Sequence, residues 1–231
     1  MEHPYLFFVK LSEMFGDGAA HFAHENPHVI YSWVLMAILI ISGALAAKSV
    51  KMIPSGAQNF FEVVISGMED FMVENVGEEG RWLFPIAGTI FLYIFIGNLI
   101  GIIPGFYPPT ASLNTTASCA VVVFILTHII GVKYHGASYI KHFLGPVWWM
   151  SPLIFVIELI GHFARVLSLS FRLFGNMMGH EIVLSILFSL AGIFFAPLPI
   201  MALGIFVAFV QGFVFFLLSI IYFQQAMDHA H

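Results

Sequence analysis

The sequence predicts an all-α polytopic membrane protein with about five membrane helices, the last two long and tilted, plus one amphipathic helix at the interface. Composition and tract length predict it. Of 231 residues, 60% are hydrophobic and 9% are charged, with a mean hydropathy of +0.95, whereas a typical globular chain is about 25% charged. The apolar residues also gather into tracts of roughly 20 residues or more, the length a helix needs to cross about 30 Å of hydrocarbon. The single cysteine, Cys119, lies in an apolar run and excludes an internal disulfide framework or thiolate metal site. Nothing in the distribution of basic residues suggests a nucleic-acid partner. The N-terminus lacks a basic start followed by a long apolar centre and a small-residue cleavage site, so no cleaved signal peptide is expected.

Residues 1–28 carry Glu2, Glu13, Asp17 and Glu25 against Lys10 alone and are expected outside the membrane. The spacing of His21, His24 and His28 could set imidazoles on one helical face for a metal, but a solvated, loosely ordered segment accounts for them equally. Val29 to Ala47 is the first span, and Lys48 and Lys51 follow it directly. In residues 54–79, Phe60, Phe61, Val64, Met68, Phe71, Met72 and Val76 recur at steps of three and four, with acids elsewhere. That pattern predicts either an interfacial helix, whose acidic face favours packing on the protein's own spans over anionic lipid, or a helical hairpin on the soluble side. A second span runs from Leu83 to Ile103 and holds Asn98. It closes on an external turn rich in proline and glycine. A third, from about Thr116 to Val132, carries His128 and has Ser118 near its external end.

From Trp148 to Phe195 the chain is apolar over twice the length of one perpendicular crossing. Two spans with a buried turn, broken at Gly175-Asn176 or Gly179, would fit that length, but one long tilted helix is expected, because a helical reading aligns its polar residues and no strong turn dipeptide interrupts it. Pro197 and Pro199 turn the chain into a last helix, Ile200 to Phe223, so residues 148–223 form a long helical hairpin within one membrane domain. Lys48, Lys51, Arg81, Lys133 and Lys141 fall on one side and only Lys10 on the other, which predicts an external N-terminus and a cytoplasmic C-terminus.

Within Ser168 to Glu181, SLSFRLFGNMMGHE, the ionised Arg172 sits in an apolar tract, where insertion costs roughly 2.5 to 3.5 kcal/mol. A functional intramembrane charge is the default reading. Seven helical residues advance about 700°, so Glu158, Arg165 and Arg172 share nearly one face, extended by Gly161, Ser168, Gly175 and Gly179 into a polar and small-residue stripe suited to a partner helix. Glu158 lies about 20 Å from Arg172 along the axis, so Arg172 must find its counter-ion elsewhere. Glu181 lies about 180° around from Arg172, with His180 at its flank, on a back face where protons could exchange with water. Asn176 stands between the two faces, within about 40° of Arg172 and of His180. On the last helix, Gly204, Gln211, Gly212, Ser219 and Tyr222 form a matching stripe, and Gln211 is placed to bond Asn176 or Arg172. A free-standing proton-coupled transporter or cation channel is the alternative reading of these charges, but no internal repeat of the transporter kind is seen.

The stretch SLSFRLFGNMMGHE, with Glu158 fourteen residues before Arg172, Gln211 followed by a terminal YFQQA segment, and NLIGIIPG at Asn98 to Gly105, resembles subunit a of the F-type ATP synthase membrane sector over the whole chain. The resemblance implies a stator in a bacterial inner membrane, beside a rotating c-ring of small hairpin subunits that each bear a membrane carboxylate. It also implies peripheral-stalk b subunits as partners. Arg172 would face the ring and keep its passing carboxylate ionised. Asn176, Glu181 and Gln211 would line the external half-channel, Asn98 and Ser118 would lie near its mouth, and Glu158 would mark the cytoplasmic exit. Some relatives carry a small residue before the glutamate and a histidine on the last helix. Here His180 and Gly204 suggest the titratable group has moved between facing helices. No phosphate-binding glycine loop or nucleotide motif occurs, so no cofactor, bound nucleotide or catalytic chemistry is expected in this chain.

Overall fold

The computed structural model describes residues 6–12, 17–48, 57–103, 105–136, 139, 150–191 and 197–228. The helices are α1 (Phe7–Ser12), α2 (Asp17–Glu25), α3 (Pro27–Lys48), α4 (Ala57–Val76), α5 (Phe84–Ile100), α6 (Leu113–His135), α7 (Ser151–Ala191) and α8 (Pro197–Met227). Tight single turns at Glu78–Leu83 and Pro109–Ala111 precede α5 and α6. Among the described residues, five helices are long and apolar enough to cross a membrane. α7 is continuous over 41 residues, about 60 Å at the helical rise and twice the hydrocarbon thickness.

α5, α6, α7 and α8 pack around one apolar core built on Phe91, Ile94, Val123, Leu173, Phe216 and Ile220. Outside that core, large side chains remain bare, as in Trp33 at 62%, Ile160 at 61% and Leu190 at 79% exposure. In water such surface would drive aggregation. In a bilayer it is the surface that lipid requires.

Polar bonds fasten the two ends of the bundle. At one end Tyr31 Oη and the Phe7 amide both donate to the Gly105 carbonyl at 3.1 Å. Gly105 adopts φ +91°, a conformation glycine takes without strain. Phe8, Tyr31 and Phe106 pack edge to face around that point. Residues 7–12 and 17–25 are helical rather than loosely ordered, and aromatic packing replaces solvent along α1. His21 pairs with Glu25 at 3.6 Å, and among the described residues no three His, Cys, Asp or Glu side chains are grouped to hold a metal ion. At the opposite end Tyr134 donates to the Glu79 carbonyl and a His135 ring nitrogen lies 3.1 Å from the Ala226 carbonyl. There Arg81 bonds Glu69 at 2.6 Å and the Lys133 ammonium lies 4.0 Å over the Trp82 ring.

The interfacial helix packs over only part of its length. Met72 is fully buried and Phe71 tilts against Phe213 of α8 at 5.8 Å, but Phe61 and Val64 are exposed. The apolar stripe is continuous in sequence, and only its last two turns lie against the bundle.

Gly101, just past α5, has no room for a side chain: a Cβ there would meet the Pro108 ring at 2.5 and 2.6 Å. Gly43 on the bare face of α3 meets nothing within 4 Å. Gly101→Ala should therefore cost about 1 to 3 kcal/mol through overpacking, whereas Gly43→Ala should be neutral or gain up to about 1 kcal/mol of helix propensity. Thermal melts of the purified protein in detergent check the opposite signs.

Candidate functional site

α7 buries one narrow stripe. His162, Leu169, Ser170, Leu173, Met177 and Leu184 are each under a tenth exposed, at helical steps of three, four and seven. The turns between them face outward. On that open side lie Ser168, Arg172, Gly175, Asn176 and Gly179, all exposed. A Cβ added at Gly161, Gly175 or Gly179 would meet nothing within 4 Å, so the small-residue stripe is bare along its length. The Arg172 guanidinium has no ion pair among the described residues.

Two contacts fix how α7 is turned against α8. His180 lies directly over Gly204, where a Cβ would overlap its ring, and its Nε2 is 3.2 Å from the Ile200 carbonyl. A carbonyl only accepts, so Nε2 carries the proton and Nδ1 is the basic nitrogen of neutral His180. At the other end the Arg165 guanidinium stands 5.4 Å over the Tyr222 ring. These contacts make α7 and α8 antiparallel neighbours. Seven residues on from Gly204 and seven back from His180 bring Gln211 level with Leu173, beside Arg172 and Asn176. No hydrogen bond joins Gln211 to either one, because Gln211 is half-buried while both candidates sit on the exposed side. The small-residue stripe of α8 also divides: Gly204 and Tyr222 meet α7, whereas a Cβ at Gly212 would touch Phe91 and Phe95 of α5. An 80° turn between Gly204 and Gly212 is enough to change the neighbour.

Glu181 is half-buried, on the far side of α7 from Arg172. Its neighbour there is Tyr107, from the turn before α6, whose phenol is pushed up to about 12 by burial first and by the Glu181 carboxylate second. Tyr107 is thus a neutral donor at any physiological pH. Asn98 is 3% exposed. It accepts a 2.5 Å bond from Thr110 and its amide nitrogen lies 3.5 Å from the Ala208 carbonyl, linking α5, the external turn and α8. Ser118 is exposed and donates to the Asn114 carbonyl at 2.7 Å. Glu158 is half-buried, with its Oε1 3.5 Å from Nε2 of His162. The structure therefore sets His180 on the α7–α8 seam with Gln211 about 10 Å from it along the axis, holds Arg172 and Asn176 on the open face with Glu181 on the far side of α7, and leaves Glu158 about 20 Å from Arg172 along the axis.

Tyr107 and Thr110 adjoin these groups at the external end, and His162 and Tyr222 adjoin them near Glu158 and Arg165; sequence reasoning does not reach them as site residues. His162 had a signal, since it follows Glu158 by four residues and so shares its helical face. Tyr107 and Thr110 had none, because their relation to Glu181 and Asn98 depends on how the turn folds back.

Residues 29–224 match the family described as ATP synthase A chain. The chain is 68% identical to an ATP synthase subunit a of Desulfosudis oleivorans and 55% identical to one of Syntrophobacter fumaroxidans, in each case over the full length of both proteins. It is 51% identical to one of Geobacter sulfurreducens, again over all of both chains. These matches favour a synthase component over a free-standing transporter. With its multi-pass helical bundle and the bare arginine face of α7, the chain belongs to the ATP synthase A chain family, the proton-translocating stator subunit of the synthase's membrane sector.

Proposed function

We propose that this subunit couples proton flow to rotation by presenting Arg172 to a c-ring carboxylate between two half-channels. The observation that carries the reading is the exposed, unpaired Arg172 on a bare face of a membrane helix. An opposite charge about 4 Å away, at an effective dielectric near 20, contributes about 4 kcal/mol. That exceeds the roughly 2.5 to 3.5 kcal/mol insertion cost. A ring carboxylate passing Arg172 is held ionised by that attraction, and the fixed positive charge keeps protons from crossing directly between the half-channels. The 148–223 hairpin would lean its small residues against the ring, and its length requires tilt.

On the external side, protons would reach the ring by way of Glu181, His180, Gln211 and Asn176. Asn98 and Ser118 would lie near the mouth, with Asn98 holding α5 to α8 there. Glu158 would mark the exit to the cytoplasm. This assigns an external N-terminus, a cytoplasmic C-terminus and a bacterial inner membrane, consistent with five of the six basic residues outside the α7 tract lying on one side. The subunit would carry no catalytic chemistry of its own and would hold the peripheral-stalk b subunits against rotation.

Arg172→Ala should abolish ATP-driven proton pumping by the complex in vesicles while leaving assembly largely intact. Retained coupled pumping would sink the assignment.

Because His180 fills the space above Gly204, His180→Gly should lower proton flux by about tenfold or more, the minimum expected of a removed relay group. The exchange His180→Gly with Gly204→His should recover much of it, since the imidazole re-enters the same gap from α8. If His180→Gly alone conducts normally, a required relay role for His180 is excluded.

A further inference from the structure

On the Glu158 side of Arg172 lies a cluster that the reading above does not use. His162 follows Glu158 by one helical turn, is 8% exposed, and has Nε2 3.5 Å from Glu158 Oε1. Across the α6–α7 seam the His128 ring stands 5.0 Å from the His162 ring, centre to centre. Nδ1 of His128 is 2.9 Å from the Phe124 carbonyl. That carbonyl only accepts, so Nδ1 bears the proton and Nε2 is the nitrogen that takes one up. Tyr139 lies 6.1 Å from His128 and seats its ring on Gly131, closing this end of the seam.

We propose that His162 and His128 form a proton relay behind Glu158, receiving the proton that its carboxyl group delivers and carrying it along the α6–α7 seam toward the cytoplasm. The proposal rests on Glu158 as the cytoplasmic exit. In the first step the O–H bond of the Glu158 carboxyl breaks and an N–H bond forms on His162, giving a carboxylate beside an imidazolium. The imidazolium then passes one ring proton to Nε2 of His128 and returns to neutral. His128 releases that proton to water at the Tyr139 end, and no electrons change hands.

Among the described residues, the charged and titratable groups around His162 are Glu158 and Arg165 on α7, His128 on α6 and Tyr222 on α8, with Tyr139 beside His128. A cavity of about 20 Å³, lined mostly by apolar side chains together with Thr127, His162, Arg165 and Tyr222, adjoins His162. The Tyr139 phenol is raised by burial and then by Glu158, with Arg165 opposing.

The test uses the assembled complex in vesicles, reading ATP-driven pumping and also passive proton conduction after the catalytic sector is stripped. His162→Gln should cut conduction by about tenfold or more and flatten its dependence on cytoplasmic-side pH between about 5 and 8, the range in which an imidazole titrates. His128→Gln should flatten the same profile. Glu158→Gln combined with His162→Gln should lose no more than Glu158→Gln alone, because both act on one path. A His162→Gln complex that conducts within about twofold of the parent with the pH profile unchanged overturns the relay. If His162→Gln does not assemble, an unchanged profile in His128→Gln overturns it instead. Arg172→Ala in the same vesicles keeps the two readings apart, since its loss of pumping beside normal His162→Gln conduction sinks the relay alone.

Discussion

The rotation of α7 about its own axis is the constraint on which the rest of this structure depends. On a helix of 41 residues with six ionisable side chains, Glu158, His162, Arg165, Arg172, His180 and Glu181, that angle decides which neighbour each one meets, and a turn of about 100° would change those neighbours. The seam with α8 sets that angle. His180 over Gly204 at one end and Arg165 over Tyr222 at the other act as two pins about 23 Å apart along α7. With those in place, Leu173 and Met177 turn inward, Arg172 turns outward, and Glu181 is carried to the far side.

Apolar packing alone would hold such a seam weakly in a membrane, where lipid tails satisfy leucine as well as protein does. Small residues and polar bonds supply what is missing. Gly204 and Gly212 let His180 and the phenylalanines of α5 approach the α8 backbone closely. Asn98 ties α5 to α8, and His135 ties α6 to α8. Each bond contributes little, about 0.6 kcal/mol on average in such settings. Their placement at both ends resists the twisting load a rotor would impose better than one strong contact at the centre would.

The same packing divides the polar groups into three surroundings. Arg172 and Asn176 stand on a face that the described residues leave open, His180 and Glu181 lie near the α7–α8 seam beside the external turn, and Glu158 with His162 lies at the α6–α7 seam. In the coupling proposed above, a proton crossing from one side to the other would leave one group and rejoin another by way of the open face that carries Arg172.

Sequence by itself determined the membrane class, the five spans, the single long helix at 151–191 and the opposition of Arg172 to Glu181, because all of these follow from apolar length and from a helical period of 3.6. It also marked the isolation of Arg172, since no acid lies within reach along its own helix. Only the tertiary structure decided that α1 and α2 are ordered, that α4 packs over half its length, and that Gly212 serves α5 rather than α7. It likewise decided that Tyr107 reaches Glu181 and that His128 meets His162. These are contacts between elements distant in the chain, and a helical period fixes which residues share a face but not which neighbour that face will meet.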